Sequence, residues 1–187
     1  ENHTRYRLKS EEELLSVLES IDQVLLVACN KCFQNSDSAD EEELSELKRI
    51  ADENRVTVTG TAGVDFLCNA AQTGRRLRTL IPAETECILV LSCGLGIQTL
   101  AGLTGLPVFS AADTLNPGGH YGMALTDKGG DACAQCYLNI TGGICPVTDC
   151  AKSLLNGQCG GSKNGKCEVS PDRDCAWERI CRRLEKQ

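Results

Sequence analysis

Eight of the thirteen cysteines in this 187-residue chain crowd between Cys133 and Cys181, in a stretch with few large apolar residues. From Asp131 to Cys175 turn residues recur every few positions. Such a segment cannot bury enough surface to hold itself together. Something covalent or metallic has to fix it. The other five cysteines (Cys29, Cys32, Cys68, Cys87, Cys93) are spread over the first 114 residues, and glycine shifts the same way, seven before residue 115 and eleven after. This change places an expected boundary near Asn116-Pro117-Gly118-Gly119, a turn signal. It divides the chain into an α/β part, 1–115, and a metal-stabilised Cys/Gly-rich part with a closing helix, 116–187.

Whether such thiols pair or bind metal depends on the compartment. Disulfide-dense domains are short and secreted, and an odd count of thirteen leaves one thiol over. The chain shows no basic-then-apolar leader and no apolar run near the ~20 residues of a membrane span. The expected location is therefore the cytoplasm, where thiols stay reduced and serve as ligands or redox groups. A net charge of −7 and a pI near 4.9 argue against nucleic acid or an anionic membrane as the main partner.

The first part alternates helix and strand. Ser10 with Glu13 reads as a capping box for a helix carrying Leu14, Leu15, Leu18 and Ile21. Val24–Ala28 is a continuous apolar run, as expected of a parallel strand covered on both faces. Ser38 with Glu41 starts a second helix. Residues 55–61 are strand-like, 65–80 helical with Arg75, Arg76 and Arg78 outward, 87–92 another strand, 97–103 a helix, and 108–111 a last strand. Four strands separated by helices predict an open Rossmann-like or flavodoxin-like parallel sheet. Trp177, Ile180 and Leu184 predict a closing amphipathic helix over 174–186.

The early cysteines follow strands. Cys29 and Cys32 come directly after the first, Cys68 after the second, and Cys93 after the third, before Gly94 and Gly96. In open parallel sheets the carboxyl ends of the strands form the binding crevice. These four thiols meet there if the first strand lies between the second and third, the order 2-1-3-4, which is the expected order. Four thiolates suit a [4Fe–4S] cluster or a structural zinc ion. A thioredoxin-like dithiol at Cys29 and Cys32 is a further reading that leaves Cys68 and Cys93 idle. Cys87, inside an apolar strand, reads as a small buried hydrophobe.

In the second part the ligand candidates are Cys133, Cys136, Cys145, Cys150, Cys159, Cys167 and Cys175. Spacing alone leaves open which four share a site and whether it takes a cluster or zinc. Backbone amides at Gly142-Gly143 and Gly160-Gly161 are candidate donors to metal-bound sulfur. Gly94-x-Gly96 lacks the rest of a dinucleotide fingerprint, and with two histidines there is no Ser/His/Asp set. No side-chain active site is expected.

The stretch from Thr141-Gly142-Gly143-Ile144-Cys145-Pro146 through Asp149-Cys150 and Gln158-Cys159-Gly160-Gly161, continued by Gly165-Lys166-Cys167-Glu168-Val169 and Asp174-Cys175-Ala176-Trp177, resembles the methylenetetrahydrofolate reductase C-terminal-domain family. Members of the MetV type are non-catalytic accessory subunits beside a flavin-containing reductase in acetogens and related anaerobes. The early Cys-x-x-Cys and Ser92-Cys93-Gly94-Leu95-Gly96 resemble the same family. The resemblance implies one or two [4Fe–4S] clusters, with zinc as an alternative or additional metal, and FMN in the partner rather than here. It implies electron transfer to that flavin in one-carbon, tetrahydrofolate (Wood–Ljungdahl) metabolism, with further electron-input subunits in some assemblies. On this basis Cys29, Cys32, Cys68 and Cys93 form one ligand set, and the seven later cysteines are the pool for the second metal. The chain departs from the family in having Ser36 where a third early cysteine is common. Cys181 stands where an aromatic is usual, so it is excluded as a ligand. Related chains accompany corrinoid methyl-transfer systems, and a zinc-stapled module that only anchors the flavoprotein needs the same thiolates. Both stand as alternatives.

Overall fold

The structure, a computed structural model, describes residues 4–32, 41–117 and 136–186. Ser36, Ser38 and Cys133 therefore lie outside the described residues. The strands are β1 (Thr4–Leu8), β2 (Gln23–Cys29), β3 (Thr57–Val64), β4 (Cys87–Leu91), β5 (Val108–Ser110) and β6 (Ala112–Pro117). The α-helices are α1 (Glu11–Leu18), α2 (Glu41–Glu53), α3 (Ala70–Leu80), α4 (Gly94–Leu103), α5 (Pro146–Asp149) and α6 (Ala176–Leu184), with a 3-10 turn at Tyr137–Ile140.

A parallel four-stranded sheet of order β3-β2-β4-β5 forms the centre, so that β2 lies between β3 and β4. Side chains along a strand point alternately to its two faces. Leu25, Val27 and Cys29 of β2 accordingly enter one core with Leu77 of α3 and Ile97 and Leu100 of α4. Val24, Leu26 and Ala28 enter the other with Leu14 and Leu18 of α1 and Leu47 and Ile50 of α2. Coverage on both faces is why the central strands read as unbroken apolar runs.

Local chemistry sets the helix starts. At α1 the Ser10 hydroxyl accepts from the Glu13 amide at 3.3 Å, while the Glu13 carboxylate accepts from Lys9 Nζ instead of completing the box. The helix expected from residue 65 begins at Ala70, because Asn69 is the N-cap and accepts from the Gln72 amide at 3.1 Å. Residues 65–68 form a turn in which Phe66 adopts φ 52°. That turn delivers Cys68.

Two features lay beyond the sequence patterns. β1 and β6 form an antiparallel pair separate from the main sheet, and the boundary expected after residue 115 falls inside β6. The 3-10 turn then packs on the first core through Leu138, 2% exposed, with Cys136 and Cys145 beside it. Arg183 of α6 donates to the carbonyls of Ala101 and Thr104 at the end of α4. The cysteine-rich part is thus anchored on the α/β layer at both of its described ends.

Candidate metal centre

Cys29 is the last residue of β2 and is buried; Cys68 is buried in the turn that precedes α3. Cys93 is the N-cap residue of α4, and Cys32 sits at φ 73° with its carbonyl accepting from the Thr4 amide at 2.6 Å. All four lie at the carboxyl ends of β2, β3 and β4, as that strand order requires. The neighbourhood is tight. A Cβ on Gly96 would come within 2.3 Å of Ser92 Oγ and 3.0 Å of Leu67 Cβ, so α4 reaches the rim only with glycine there. Gly94 has no such need; its amide donates to Thr114 Oγ1 at 3.2 Å, which ties α4 to β6.

Burial pushes the Cys32 thiol up to about 12, and Cys29, Cys68 and Cys93 each add to the rise. Burial, then Cys93 and Cys29, push Cys68 to about 11. Burial also raises Cys29, opposed by backbone hydrogen bonding at Lys31, Leu67 and Phe66. Like charges converging in a partly buried site disfavour ionisation, unless a cation neutralises them. A reactive dithiol needs the opposite, a depressed pKa. Cys87 plays no part, being fully buried in the other core with its thiol raised by burial to about 12.

The later thiols fall into two groups. Cys136 and Cys145 border the first core, and Cys136 lies next to a buried ion pair that sequence reading missed. Lys9 Nζ meets Asp113 Oδ1 at 2.8 Å, and the Cys136 amide donates to the same oxygen at 2.8 Å. Lys9 and Asp113 are 104 residues apart, so no local pattern announces them. Burial raises the Cys136 thiol to about 11, with Lys9 pulling against it.

Cys150, Cys159, Cys167 and Cys175 instead line one small pocket with Lys152, Glu168 and Trp177. The Gly161 amide donates to Cys159 Sγ at 3.4 Å, in keeping with the expectation for that glycine pair. Gly143 does otherwise, donating to the Leu138 carbonyl at 2.9 Å. Cys181 is exposed, 4.0 Å from the Gln158 amide nitrogen.

Every described cysteine is free. Among the described residues no three Cys, His, Asp or Glu side chains stand where they would hold a metal ion as placed. The thiols are gathered, not closed. Among the described residues no helix is long and apolar enough to cross a membrane.

Fold and thiols together define an α/β protein with a cysteine-rich extension bound to its sheet. Residues 109–187 match the family model described as Methylene-tetrahydrofolate reductase C terminal. The match covers β6, the 3-10 turn and the tail, and excludes the four rim cysteines. No curated protein matches the chain.

Proposed function

We propose that the chain is an iron–sulfur electron-transfer subunit whose rim cysteines, Cys29, Cys32, Cys68 and Cys93, hold a [4Fe–4S] cluster and pass electrons to the flavin of a partner methylenetetrahydrofolate reductase subunit. The observation that carries the reading is the placement of four cysteines at the carboxyl ends of three neighbouring parallel strands. The donor set suits the cluster, being all sulfur, with the Cys29 thiol close to the Lys31 carbonyl at 3.6 Å. When bound, the cluster would supply one-electron oxidation and reduction, which no side chain here provides. The chain's own residues do the rest. Cys29 and Cys68 are buried, Leu67 packs in the same core as Cys29, and Gly96 lets α4 approach. The match over residues 109–187 supports the link to a reductase of this type.

Delivery of electrons is tested by mixing the anaerobically purified, reduced chain with the flavoprotein and following flavin absorbance. Bleaching that depends on the iron-loaded chain is expected; bleaching at the same rate without it overturns the role. A second reading, a zinc-stapled module that anchors the flavoprotein without carrying electrons, draws on the second gathering of thiols in the tail. Colourless anaerobic protein that holds zinc alone would decide for it.

A further inference from the structure

We infer that the side of the sheet covered by α3 and the end of α4 is a docking surface for an acidic, apolar-centred patch on a protein partner, the flavin-bearing subunit of the reading above. The partner's name rests on that reading; the surface rests on this chain alone. The two sides of the sheet differ in charge. On one, α1 contributes three carboxylates and α2 six, against Lys48 and Arg49. On the other, residues 66–83 hold Arg75, Arg76 and Arg78 with no acidic residue, and residues 87–112, α4 included, hold no charged residue at all. A chain of net charge −7 thus keeps one side basic and apolar.

The cations on this side are left for a partner. Elsewhere Arg49 pairs with Glu46, Lys166 with Asp174 and Arg182 with Glu178. Among the described residues, Arg75 and Arg76 donate to the carbonyls of Ala71 and Gly63, and none of the three arginines of α3 meets a carboxylate. Helical spacing puts Ala71, Gly74, Arg75 and Arg78 on one stripe of α3, with Ala71, Arg75 and Arg78 exposed. Leu103, 42% exposed at the end of α4, borders that stripe: a Cβ on Gly74 would stand 3.7 Å from its Cδ2. Leu184, equally exposed, follows Arg183, which donates to the Thr104 carbonyl at 3.5 Å. Exposed leucines edged by unpaired guanidinium groups have the make-up of a protein interface, where arginine is enriched. Their charge steers and selects an acidic counterpart. Position suits the proposed role. Cys68 immediately precedes Asn69, the N-cap of α3, so a partner laid along the stripe ends beside the rim. A second copy would have to offer its α1–α2 side, a head-to-tail contact that repeats unless its rotation closes a ring.

The test titrates the purified flavoprotein into the full, anaerobically prepared chain at low and high salt, with Kd read by calorimetry. Wild type should bind, and more weakly as salt rises. Arg75→Glu/Arg78→Glu should bind at least ~tenfold more weakly, with a flatter salt dependence and rim iron as in wild type. Lys48→Glu/Arg55→Glu makes the same change of net charge at exposed positions away from the stripe and should stay within ~twofold of wild type. Leu103→Ser should weaken binding and keep the salt slope, because an apolar contact is not screened. If the glutamate variant does not fold, Arg75→Gln/Arg78→Gln should show the same changes in smaller measure. Equal binding by wild type and the α3 variants, or an equal loss in Lys48→Glu/Arg55→Glu, overturns the surface and leaves the electron-transfer reading standing. A wild type that does not bind the flavoprotein sinks both. Self-association of the chain that the α3 variants abolish would give this side to a second copy and overturn the proposal.

Discussion

Cys32 shows how a single residue separates two chemistries that share a Cys-x-x-Cys spacing. A catalytic dithiol requires a thiolate near neutral pH, but burial and three neighbouring sulfurs push this thiol up to about 12. In metal-free protein its alkylation should therefore be slow at pH 7 and climb ~tenfold per pH unit well past the ordinary cysteine range. A rate that levels off near pH 7 would revive the dithiol. Lys9 makes a second prediction. Burial alone would lower its pKa, yet hydrogen bonds and charge from Asp113 and Glu13 outweigh that and raise it. A raised folded pKa means the stabilisation is fully present below the unfolded value of ~10.4 and is lost as pH climbs through the folded one. Both side chains of the pair are nearly inaccessible, at 2% and 6% exposure, and Asp113 also holds the Cys136 amide. Lys9→Ala should cost up to about 3–5 kcal/mol in urea unfolding at neutral pH, because the buried Asp113 carboxylate then keeps only the exposed Arg7 guanidinium at 4.0 Å and the Cys136 amide at 2.8 Å. A loss below about 1 kcal/mol would show that the pair is solvated in solution.

Among the elements, the 3-10 turn at Tyr137–Ile140 carries the most information about architecture. Asn139 exchanges hydrogen bonds with the Ser110 backbone at 2.6 and 3.1 Å, and Leu138 is buried in the sheet core. If this packing joins tail to sheet, Leu138→Ala should destabilise the α/β part itself by about 2–5 kcal/mol. An unfolding transition of the sheet unchanged by the substitution would mean the two parts are independent. The helices and central strands were legible in the sequence because apolar runs and caps are short-range signals: Val24–Ala28 and Ser10 suffice. β1, with its alternating Arg5, Tyr6, Arg7 and Leu8, was not, because its partner β6 lies more than a hundred residues on and reads as a turn. The start of α3 was misread for a related reason. The cap is Asn69, and residues 65–68 are instead spent on the turn that packs Leu67 and Cys68 inward.

On the scale of the molecule, the thiols are sorted by position rather than by sequence motif. One set stands at the carboxyl edge of the parallel sheet, one pair against the first core, and one set in the tail pocket. That the first four cysteines share one edge was legible, because residues just after parallel strands lie at the same end of the sheet. The tail grouping had no such rule, because a chain without regular periodicity gives no face to count along. The rim claim is tested most directly by iron and acid-labile sulfide content, with EPR of the reduced state, on anaerobically purified wild type, Cys68→Ser and Cys87→Ser. A rim cluster predicts about four irons attributable to the rim and a reduced-cluster signal. Cys68→Ser should remove or alter both, and Cys87→Ser, if it folds, should leave both as in wild type. Iron content and signal that are identical in wild type and Cys68→Ser, or absent from folded wild type, would contradict it.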